Sequence, residues 1–392
     1  MKKYFLFFIF YFLFAGGAFA FNTAAKSAYL IDQQSGAELF AKSADEMMPP
    51  SSMLKLMTLA VAFDAIKSGD LKMTDKLTVG ENADYKNPNW RDASKICLVR
   101  GQTISVNDAI MGTIVLSGGD AALVLAEKLA GTESAFTVKM QARAREIGMP
   151  NSVFGNATGL PDPNNLMTSR ELARLAQYLI ETHPDLYPLF AARRFEFNDY
   201  KADWCRDWGK SHTVNYNKLL FIMPGADGLK TGHTADGGYG MVASAKLGGR
   251  RLIGVINGFK GKGHDALAAE MKKLLNHGFE STSNRVFYNP GDKILEIPVW
   301  YGRKKTAIAT VAKTFAITLN RGESAAGLRV LARYTEPLPA PIAKGTPVGE
   351  IIAEINGHIV ARAPLVAAER VRKTQLIGRI IWNLKVIFNG RS

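Results

Sequence analysis

Residues 53–63 constrain the fold more than any other segment, because they predict a helix that is apolar on every face. Every residue of this run except Lys55 and Thr58 is apolar, and two prolines precede it where a helix can begin. A helix that is apolar all round packs inside a protein rather than on its surface. Lys55 would therefore be buried, which is rare for a lysine that has neither a partner nor a function.

Ser52 lies three residues before Lys55, which places the two side chains on the same face of a helix. Burial would lower the pKa of the lysine, so that part of the amine would be neutral near pH 7 and could accept the serine proton. This pair predicts a nucleophile of the Ser-Lys type. The alternative is a serine that caps a core helix, with a lysine whose amine reaches the surface.

Residues 1–20 have the pattern of a secretory signal, which predicts that the protein works outside the cytoplasm. Two lysines precede an apolar run over residues 4–14, and a small-x-small cleavage site follows at Ala18-Phe19-Ala20. An uncleaved N-terminal anchor is the alternative. After cleavage near Phe21, the remaining chain is long enough for two or three domains.

The chain is strongly basic, with a formal charge of +14 that falls to +12 once the two signal lysines are removed. In an exported protein, such a charge suits nucleic acid, anionic lipid or an acidic substrate. No nucleic-acid-binding motif accompanies it, and the basic residues are scattered along the sequence. The sequence therefore predicts a lipid surface or an envelope polymer as partner, and no nucleic acid.

The histidine and cysteine pattern predicts neither a metal site nor a cofactor. The six histidines have no ligand spacing, and no Cys-x-x-Cys motif is present. Cys97 and Cys205 would meet an environment that permits disulfides. Their spacing alone does not decide whether they pair.

Hydrophobic periodicity predicts that the first domain is of the α+β class. Hairpins are predicted at residues 28–42 and 239–257, with mainly helices over residues 104–183 between them. A last helix over residues 265–277 would end at Gly278. Strands at both ends with helices between them imply one antiparallel sheet flanked by helices, closing near residue 282.

Beyond this domain the pattern changes to short strands separated by frequent turns, which predicts a small all-β sandwich. The tail from residue 374 to residue 389 is helical again, and its apolar residues fall within an arc of roughly 140°. Such a terminal helix predicts a segment that lies in a membrane interface. A helix docked on the β module is the alternative.

Two further motifs follow Ser52 and Lys55 in an order that strengthens the prediction of a catalytic site. Leu116-Ser117-Gly118-Gly119-Asp120 forms a glycine-flanked bend before a helix, and Lys230-Thr231-Gly232 lies on a predicted strand. Alone, each could be an ordinary helix entry or a strand that ends in a turn. Together they resemble the penicillin-recognising serine acyl enzymes, whose pattern is Ser-x-x-Lys, Ser-x-Asn and Lys-Thr-Gly.

Further segments are similar to the serine-type D-alanyl-D-alanine carboxypeptidases, the low-molecular-mass penicillin-binding proteins. These segments are Gly148-Met149-Pro150-Asn151, Gly159-Leu160-Pro161-Asp162-Pro163-Asn164, Asp227-Gly228-Leu229-Lys230-Thr231-Gly232-His233-Thr234 and Val242-Ala243-Ser244-Ala245. The resemblance extends over nearly the whole chain after the signal. It implies a β-lactamase/transpeptidase-like catalytic domain over residues 21–282, a β-sandwich domain over 283–370 and a membrane-anchoring amphipathic helix over 371–392.

The resemblance also implies a reaction. Ser52 would attack the carbonyl between the two terminal D-alanines of a peptidoglycan stem peptide, and Lys55 would accept its proton. Ser117 would help to relay that proton to the departing D-alanine, and β-lactam antibiotics would acylate the same nucleophile. The enzyme would work in the periplasm, attached peripherally to the outer face of the inner membrane through its C-terminal helix.

The strand motif would bind the C-terminal end of the substrate. The resemblance implies that Lys230 and Thr231 hold the terminal carboxylate, and that the backbone amides of Ser52 and His233 form the oxyanion hole. The residue types agree independently, because a carboxylate calls for a fixed cation and hydroxyl donors. Gly232 would let the peptide lie close to the strand.

Two positions depart from the family pattern. Gly119 stands where the family has an asparagine that bridges the catalytic lysine and the substrate, and losing one aligned donor can cost on the order of a hundredfold in rate. Lys262 stands where an arginine near the substrate carboxylate is usual. Gly119 leaves open a second reading, a weakly active or non-catalytic peptidoglycan- and penicillin-binding protein. A β-lactamase or a basic structural protein agrees less well with the β module and the three ordered motifs.

Overall fold

The structure is a computed structural model that describes residues 21–235 and 237–374. The predicted signal segment, residues 1–20, lies outside this range, and so does the predicted amphipathic helix 371–392 from residue 375 onward. Residues 371–374 are described and are not helical, because Val371 and Lys373 form bridges to Ile342 and Gly302. No helix within the described ranges is long and apolar enough to cross a membrane.

The first part of the chain folds into an α+β domain. Its helices are α1 (Lys55–Ser68), α2 (Val106–Val115), α3 (Gly119–Ala130), α4 (Glu133–Glu146), α5 (Ser169–Thr182), α6 (Asp203–Ser211), α7 (Leu219–Ile222) and α8 (Gly263–Ser281). Its strands are β1 (Ser27–Asp32), β2 (Glu38–Lys42), β3 (Lys76–Thr78), β4 (Thr103–Ser105), β5 (Ala226–Thr234), β6 (Gly238–Leu247) and β7 (Arg250–Phe259). Short 3₁₀ helices cover Ser51–Leu54, Pro88–Trp90 and Tyr187–Ala191.

Five of these strands form an antiparallel sheet in the order β2-β1-β7-β6-β5. Successive residues of β7 point to opposite faces, so Val255 joins one hydrophobic core and Ile256 the other. Helix α5 packs on the first face, and α8 packs on the second. Both predicted hairpins are present, and the predicted antiparallel sheet flanked by helices is confirmed.

Helix α1 runs through the larger core. Leu56, Met57 and Phe63 are fully buried, so the prediction of a buried helix is confirmed. Its start differs from the expectation, because Ser52 belongs to the 3₁₀ helix Ser51–Leu54 and α1 begins at Lys55. The tighter turn still leaves the two side chains on one side, since residues three apart eclipse each other in a 3₁₀ helix.

Helix α8 is longer than the sequence predicts. It continues to Ser281, so Gly278 lies inside the helix and the prediction that it ends the helix was wrong. A Cβ atom on Gly278 would lie 2.7 Å from Leu30 Cδ2 and 2.8 Å from Leu252 Cδ1. The glycine is explained by the close approach of α8 to β1 and β7 rather than by a helix stop.

The rest of the described chain is all β. Its strands are β8 (Thr282–Tyr288), β9 (Leu295–Trp300), β10 (Thr306–Val311), β11 (Phe315–Asn320), β12 (Leu328–Tyr334), β13 (Leu338–Pro339), β14 (Pro347–Ile355) and β15 (His358–Ala367). Six of them form a sheet in the order β12-β14-β15-β10-β9-β13, and β8 pairs with β11. A separate apolar core that includes Ile297, Val311 and Leu365 lies within this module. The predicted all-β second domain is confirmed.

Candidate active site

Ser52 and Lys55 are in contact at the start of α1. Lys55 Nζ donates a hydrogen bond to Ser52 Oγ over 2.8 Å and another to the backbone oxygen of Thr158. Ser52 is partly exposed, whereas Lys55 is only 3% exposed. The structure therefore brings together the two residues that the sequence predicts as nucleophile and proton acceptor.

Burial lowers the pKa of Lys55 to about 7, and the charge of Asp120 opposes part of this shift. Asp120 is fully buried, and burial raises its own pKa. Its carboxylate accepts hydrogen bonds from the backbone amides of Ile96, Cys97 and Leu98, which fixes this loop to α3. An amine with a pKa near 7 is about half neutral at neutral pH, so it is ready to accept a proton.

Ser117 lies in the bend between α2 and α3 with a φ of 57°, a conformation uncommon outside glycine. Its Oγ accepts a hydrogen bond from Lys230 Nζ at 2.9 Å, and the same amine donates to the backbone oxygen of Thr231 at 2.9 Å. Lys230 is buried, which lowers its pKa, and the charge of Lys55 lowers it further. The second and third sequence motifs therefore meet through one hydrogen bond.

Strand β5 passes directly across the start of α1. A Cβ atom on Gly232 would lie 2.9 Å from the backbone oxygen of Pro50 and 3.0 Å from the amide nitrogen of Ser52, so the approach requires glycine. Thr231 is buried on one side of this glycine, and His233 is exposed on the other. The strand motif thus lies against the backbone of Ser52.

These elements enclose a cleft of about 620 Å³. Lys230 lies behind its wall, since its amine is taken up by Ser117 and Thr231. Within the described part of the chain, no group of three or more His, Cys, Asp and Glu side chains is arranged to hold a metal ion. The polar and titratable residues that line the cleft are Ser52, Lys55, Asn89, Asp92, Ser94, Ser117, Tyr216, Thr231, His233, Thr234 and His264.

A disulfide bond joins Cys97 to Cys205 in α6 and resolves the pairing that the sequence left open. Both cysteines are fully buried. The amide of Cys97 donates to Asp120, the carboxylate that acts on the pKa of Lys55. The bond therefore attaches α6 to a loop that is already fixed to Asp120.

Comparison with known proteins identifies the family. A family model described as D-alanyl-D-alanine carboxypeptidase matches residues 17–261. The chain belongs to the D-alanyl-D-alanine carboxypeptidase family. A second model, described as the C-terminal domain of penicillin-binding protein 5, matches residues 283–373 of this carboxypeptidase-family chain.

Similar proteins align with nearly the whole carboxypeptidase-family chain. The D-alanyl-D-alanine carboxypeptidase DacC of Escherichia coli K12 is 34% identical, and the alignment covers 95% of this chain and 92% of the relative. DacA of Haemophilus influenzae is 33% identical, with coverage of 93% and 89%. The crystal structure of penicillin-binding protein 5 from Haemophilus influenzae has a TM-score of 0.77 at 32% identity, covering 91% of this chain and 100% of that structure. The resemblance inferred from the motifs is confirmed.

Trp90 fills the space beside Gly119, the position where this family has asparagine. A Cβ atom on Gly119 would lie 2.5 Å from Trp90 Cζ3 and 3.4 Å from the backbone oxygen of Ser94. The indole is 1% exposed, and its Nε1 donates to the backbone oxygen of Asn82 at 2.8 Å. The glycine is therefore matched to a tryptophan from a loop. Sequence reasoning missed this residue, because it belongs to no motif and no periodic element.

Lys262 does not line the cleft that contains Ser52. It lies in a neighbouring cleft of about 460 Å³, together with Lys26 and Lys260. His264, two residues later in the chain, lines the Ser52 cleft instead. His264 was not predicted from the sequence either. Its position just before the predicted last helix, residues 265–277, was the available signal.

His264 is held between two tyrosines. Its ring stacks on Tyr216 with centroids 5.2 Å apart and meets the ring of Tyr239 edge-on at 5.5 Å. Its buried Nδ1 has no hydrogen-bond partner among the residues that the structure describes. Burial, together with the charges of Lys230, His233 and Lys218, lowers its pKa to about 4 against the opposing effect of Asp265. The imidazole is therefore neutral at neutral pH, and its Nδ1 makes no hydrogen bond to the described residues.

Gly159 offers a test of how the cleft is held together. Its φ is 70°, and a Cβ atom there would lie 2.1 Å from the backbone oxygen of Ser51 and 3.1 Å from Ser52 Cα. Gly159→Ala should therefore displace the nucleophile, abolish labelling by a fluorescent penicillin and lower the free energy of unfolding in urea. Gly69→Ala is the matched control, since its φ of 87° is in the left-handed region but nothing lies within 4 Å of a Cβ atom there. This control should lose roughly 1–2 kcal/mol and keep full labelling. Equal stability and labelling in the two variants would contradict the expectation.

Proposed function

We propose that this protein is a serine-type D-alanyl-D-alanine carboxypeptidase that removes the terminal D-alanine from peptidoglycan stem peptides. The observation that carries the proposal is the contact between Ser52 Oγ and a buried lysine with a pKa of about 7. A nucleophile beside a base with that pKa is suited to acyl transfer at neutral pH. The names of the similar carboxypeptidases support the bond between two D-alanines as the target.

In the acylation step, neutral Lys55 accepts the proton of Ser52 while Oγ attacks the substrate carbonyl. The C–O bond forms, and the negative charge that develops on the carbonyl oxygen is stabilised by backbone amides of Ser52 and His233. The C–N bond to the terminal D-alanine then breaks, and the proton from Ser52 passes to the departing amine through Lys55 and Ser117. Lys230 Nζ donates a hydrogen bond to Ser117 Oγ, which holds the Ser117 hydroxyl at the cleft wall for this relay.

In the deacylation step, water attacks the ester on Ser52. Lys55, neutral again after the first proton transfer, accepts a proton from the water and returns it to Ser52 Oγ. The products are the shortened peptide and the free enzyme. β-Lactams acylate the same serine by opening their ring, which leaves no separate leaving group. Penicillin-binding protein D2 from Listeria monocytogenes, solved in an ampicillin-bound form with 26% identity and a TM-score of 0.55, supports this binding.

In this proposal Thr231, which lines the cleft, binds the carboxylate of the terminal D-alanine, and Lys230 supplies a positive charge from behind the cleft wall. In the free site, burial and the charge of Lys55 disfavour the charged form of Lys230. A bound carboxylate offsets that penalty, because an opposite charge nearby favours the charged form of a lysine. Substrate binding would therefore leave Lys230 charged and, by repulsion, keep Lys55 neutral for the first proton transfer.

His264 gives a prediction about substrate affinity. Its place in the cleft wall suits a polar contact with the substrate through the part of the ring that faces the cleft, since Nδ1 itself is enclosed. We expect His264→Leu to raise KM by about fivefold with a smaller change in kcat, since one hydrogen bond contributes about 1 kcal/mol. His264→Gln, which keeps polar atoms, should recover part of the affinity. Steady-state release of D-alanine would measure this, and an unchanged KM in His264→Leu would show that the histidine only packs against its tyrosines.

A second candidate function is a weakly active or non-catalytic peptidoglycan- and penicillin-binding protein of the same fold. The observation that favours it is the replacement of the family asparagine by Gly119 and the indole of Trp90. An apolar ring edge cannot supply the hydrogen bonds of an amide. Acylation by penicillin would survive in such a protein, while peptide turnover would be slow.

Release of free D-alanine from a diacetyl-Lys-D-Ala-D-Ala peptide separates the two candidates. Steady release that disappears in the Ser52→Ala variant would establish the carboxypeptidase. No release, combined with labelling by a fluorescent penicillin that depends on Ser52, would favour the binding protein. Ser51→Ala is the matched control, because this neighbouring serine bonds to Thr234 at 3.0 Å rather than to Lys55.

The proposed location is the periplasmic face of the cytoplasmic membrane, with peripheral attachment through the C-terminal helix. The signal pattern of residues 1–20 and the apolar arc of the tail support it. Deleting residues 375–392 should sharply lower the share of the protein in the membrane fraction of a producing cell and raise its share in the soluble periplasmic fraction. An unchanged membrane share in the shortened chain would argue against attachment through the tail.

A further inference from the structure

The turn between β9 and β10 carries a dense group of exposed charges. Arg303, Lys304 and Lys305 are all exposed, and they follow Trp300, whose large apolar side chain is 45% exposed. Large aromatic side chains are mostly buried in soluble proteins. An exposed tryptophan beside several cations is therefore unusual on a surface that contacts only water. The turn therefore has the composition of an interaction surface.

The last described residues run alongside this turn. The amide of Arg303 donates to the backbone oxygen of Arg372 at 2.8 Å, and the amide of Thr374 donates to the backbone oxygen of Tyr301 at 2.7 Å. Val371 is fully buried, so its neighbours Arg370 and Arg372 project away from the core of the module. Two separate parts of the sequence thus combine their cations at one edge. We call this edge the basic rim, which consists of Trp300, Arg303, Lys304, Lys305, Arg370, Arg372 and Lys373.

The basic rim is strongly positive. It contains six cations, and the ion pair found in it among the described residues is Lys304 with Glu369. Juxtamembrane clusters of this kind are attracted to anionic lipid headgroups by about 1 kcal/mol for each lysine or arginine near the surface. Tryptophan is enriched at the same membrane–water interface, because its ring is apolar while its N–H can bond to water.

The position of the rim selects a membrane over other anionic partners. Thr374, the last described residue of the chain, is hydrogen-bonded to the turn, and the amphipathic tail sequence begins at the next residue. Any surface that holds the tail is therefore within immediate reach of the rim. We propose that the basic rim binds anionic lipid headgroups as a second membrane contact, with Trp300 inserted at the interface. This proposal does not depend on the peptidase activity.

Sedimentation of the full chain with phosphatidylglycerol vesicles tests the charge of the rim. We expect the Arg303→Gln/Lys305→Gln variant to bind about 25-fold more weakly than the unmodified chain, or about fivefold for each cation. The matched control is Lys128→Gln/Lys139→Gln, which removes two exposed charges from α3 and α4. It should bind as the unmodified chain does. Equal binding of the two double variants would overturn the proposal, as would equal binding to phosphatidylcholine and phosphatidylglycerol vesicles.

Brominated lipids test the contact of Trp300 directly. In a Trp382→Phe background, which removes the tryptophan of the tail, brominated phosphatidylglycerol should still quench part of the emission. Adding Trp300→Phe should abolish that quenching while leaving the circular dichroism spectrum unchanged. Quenching that persists without Trp300, or that is absent while the protein is vesicle-bound, would overturn the contact. Neither readout uses D-alanine release, so failure here is distinguishable from failure of the proposed reaction.

Discussion

Replacing Lys55 with methionine should slow the acylation of Ser52 by a fluorescent penicillin by about 10²- to 10⁴-fold, the usual contribution of a positioned general base. Methionine has a similar length and suits the apolar surroundings of the lysine, but it cannot accept a proton. The hydroxyl of Ser52 would keep its position and lose its base. Stopped-flow fluorescence would measure the acylation rate, and circular dichroism would report whether the fold is retained.

Lys67→Met is the matched control, because this lysine lies on the same helix but is exposed. It should acylate at the unmodified rate. The pH profile gives a second check, since Lys55 acts as a base only when neutral and burial lowers its pKa to about 7. The acylation rate should fall as the pH drops below about 7 and level off above it. A rate independent of pH between 5 and 9, or full activity in Lys55→Met, would assign the base to another group.

Restoring the family asparagine through Gly119→Asn should lower activity as long as Trp90 is present. The first side-chain atom would lie 2.5 Å from the indole, and overpacking of this kind costs about 1–3 kcal/mol. In the Gly119→Asn/Trp90→Leu variant, the smaller side chain leaves room for the amide. We expect this double variant to release D-alanine about ten- to a hundredfold faster than Gly119→Asn alone, since the restored donor would be aligned with the substrate. Urea unfolding would measure the cost of overpacking, and D-alanine release would measure the change in activity.

Gly69→Asn controls for the general effect of adding asparagine at a glycine, since Gly69 is in the left-handed region at the end of α1. Nothing lies within 4 Å of a Cβ atom there, and asparagine tolerates its positive φ better than most residues. This variant should keep its activity and most of its stability. Trp90→Leu alone measures the loss of the indole. If Gly119→Asn alone were more active than the unmodified chain and equally stable, the indole would have moved aside, and the proposed exclusion would be wrong.

The parts of the site that could be predicted from the sequence are those tied to local spacing. Ser52 and Lys55 are three residues apart, so their contact follows from one helical turn. Ser117, Lys230 and Thr231 could be assigned because their order matched a known pattern. Their contact across 113 residues required the fold to bring the α2–α3 bend to β5. The roles of these residues remain predictions until the variants are measured.

Other residues of the cleft could not be predicted, because long-range packing puts them there. Trp90 ends a single 3₁₀ turn that has no periodicity to predict it, and its effect is visible only through its distance to Gly119. His264 and Lys262 are two residues apart, yet they line different clefts because the chain changes direction where α8 begins. A resemblance in sequence cannot resolve which of two neighbours faces the substrate. The same limit applies to Gly278, whose role depends on side chains of two distant strands.

The disulfide bond between Cys97 and Cys205 makes the stability of the protein depend on the cellular compartment. It spans 108 residues, and closing a loop of about 100 residues disfavours the unfolded chain by roughly 4.7 kcal/mol. That contribution is absent in a reducing cytoplasm, where thiols stay apart. For a chain exported as proposed, the newly made protein would be easier to keep unfolded for translocation. Formation of the disulfide after export would then make the unfolding of the catalytic domain much less favourable.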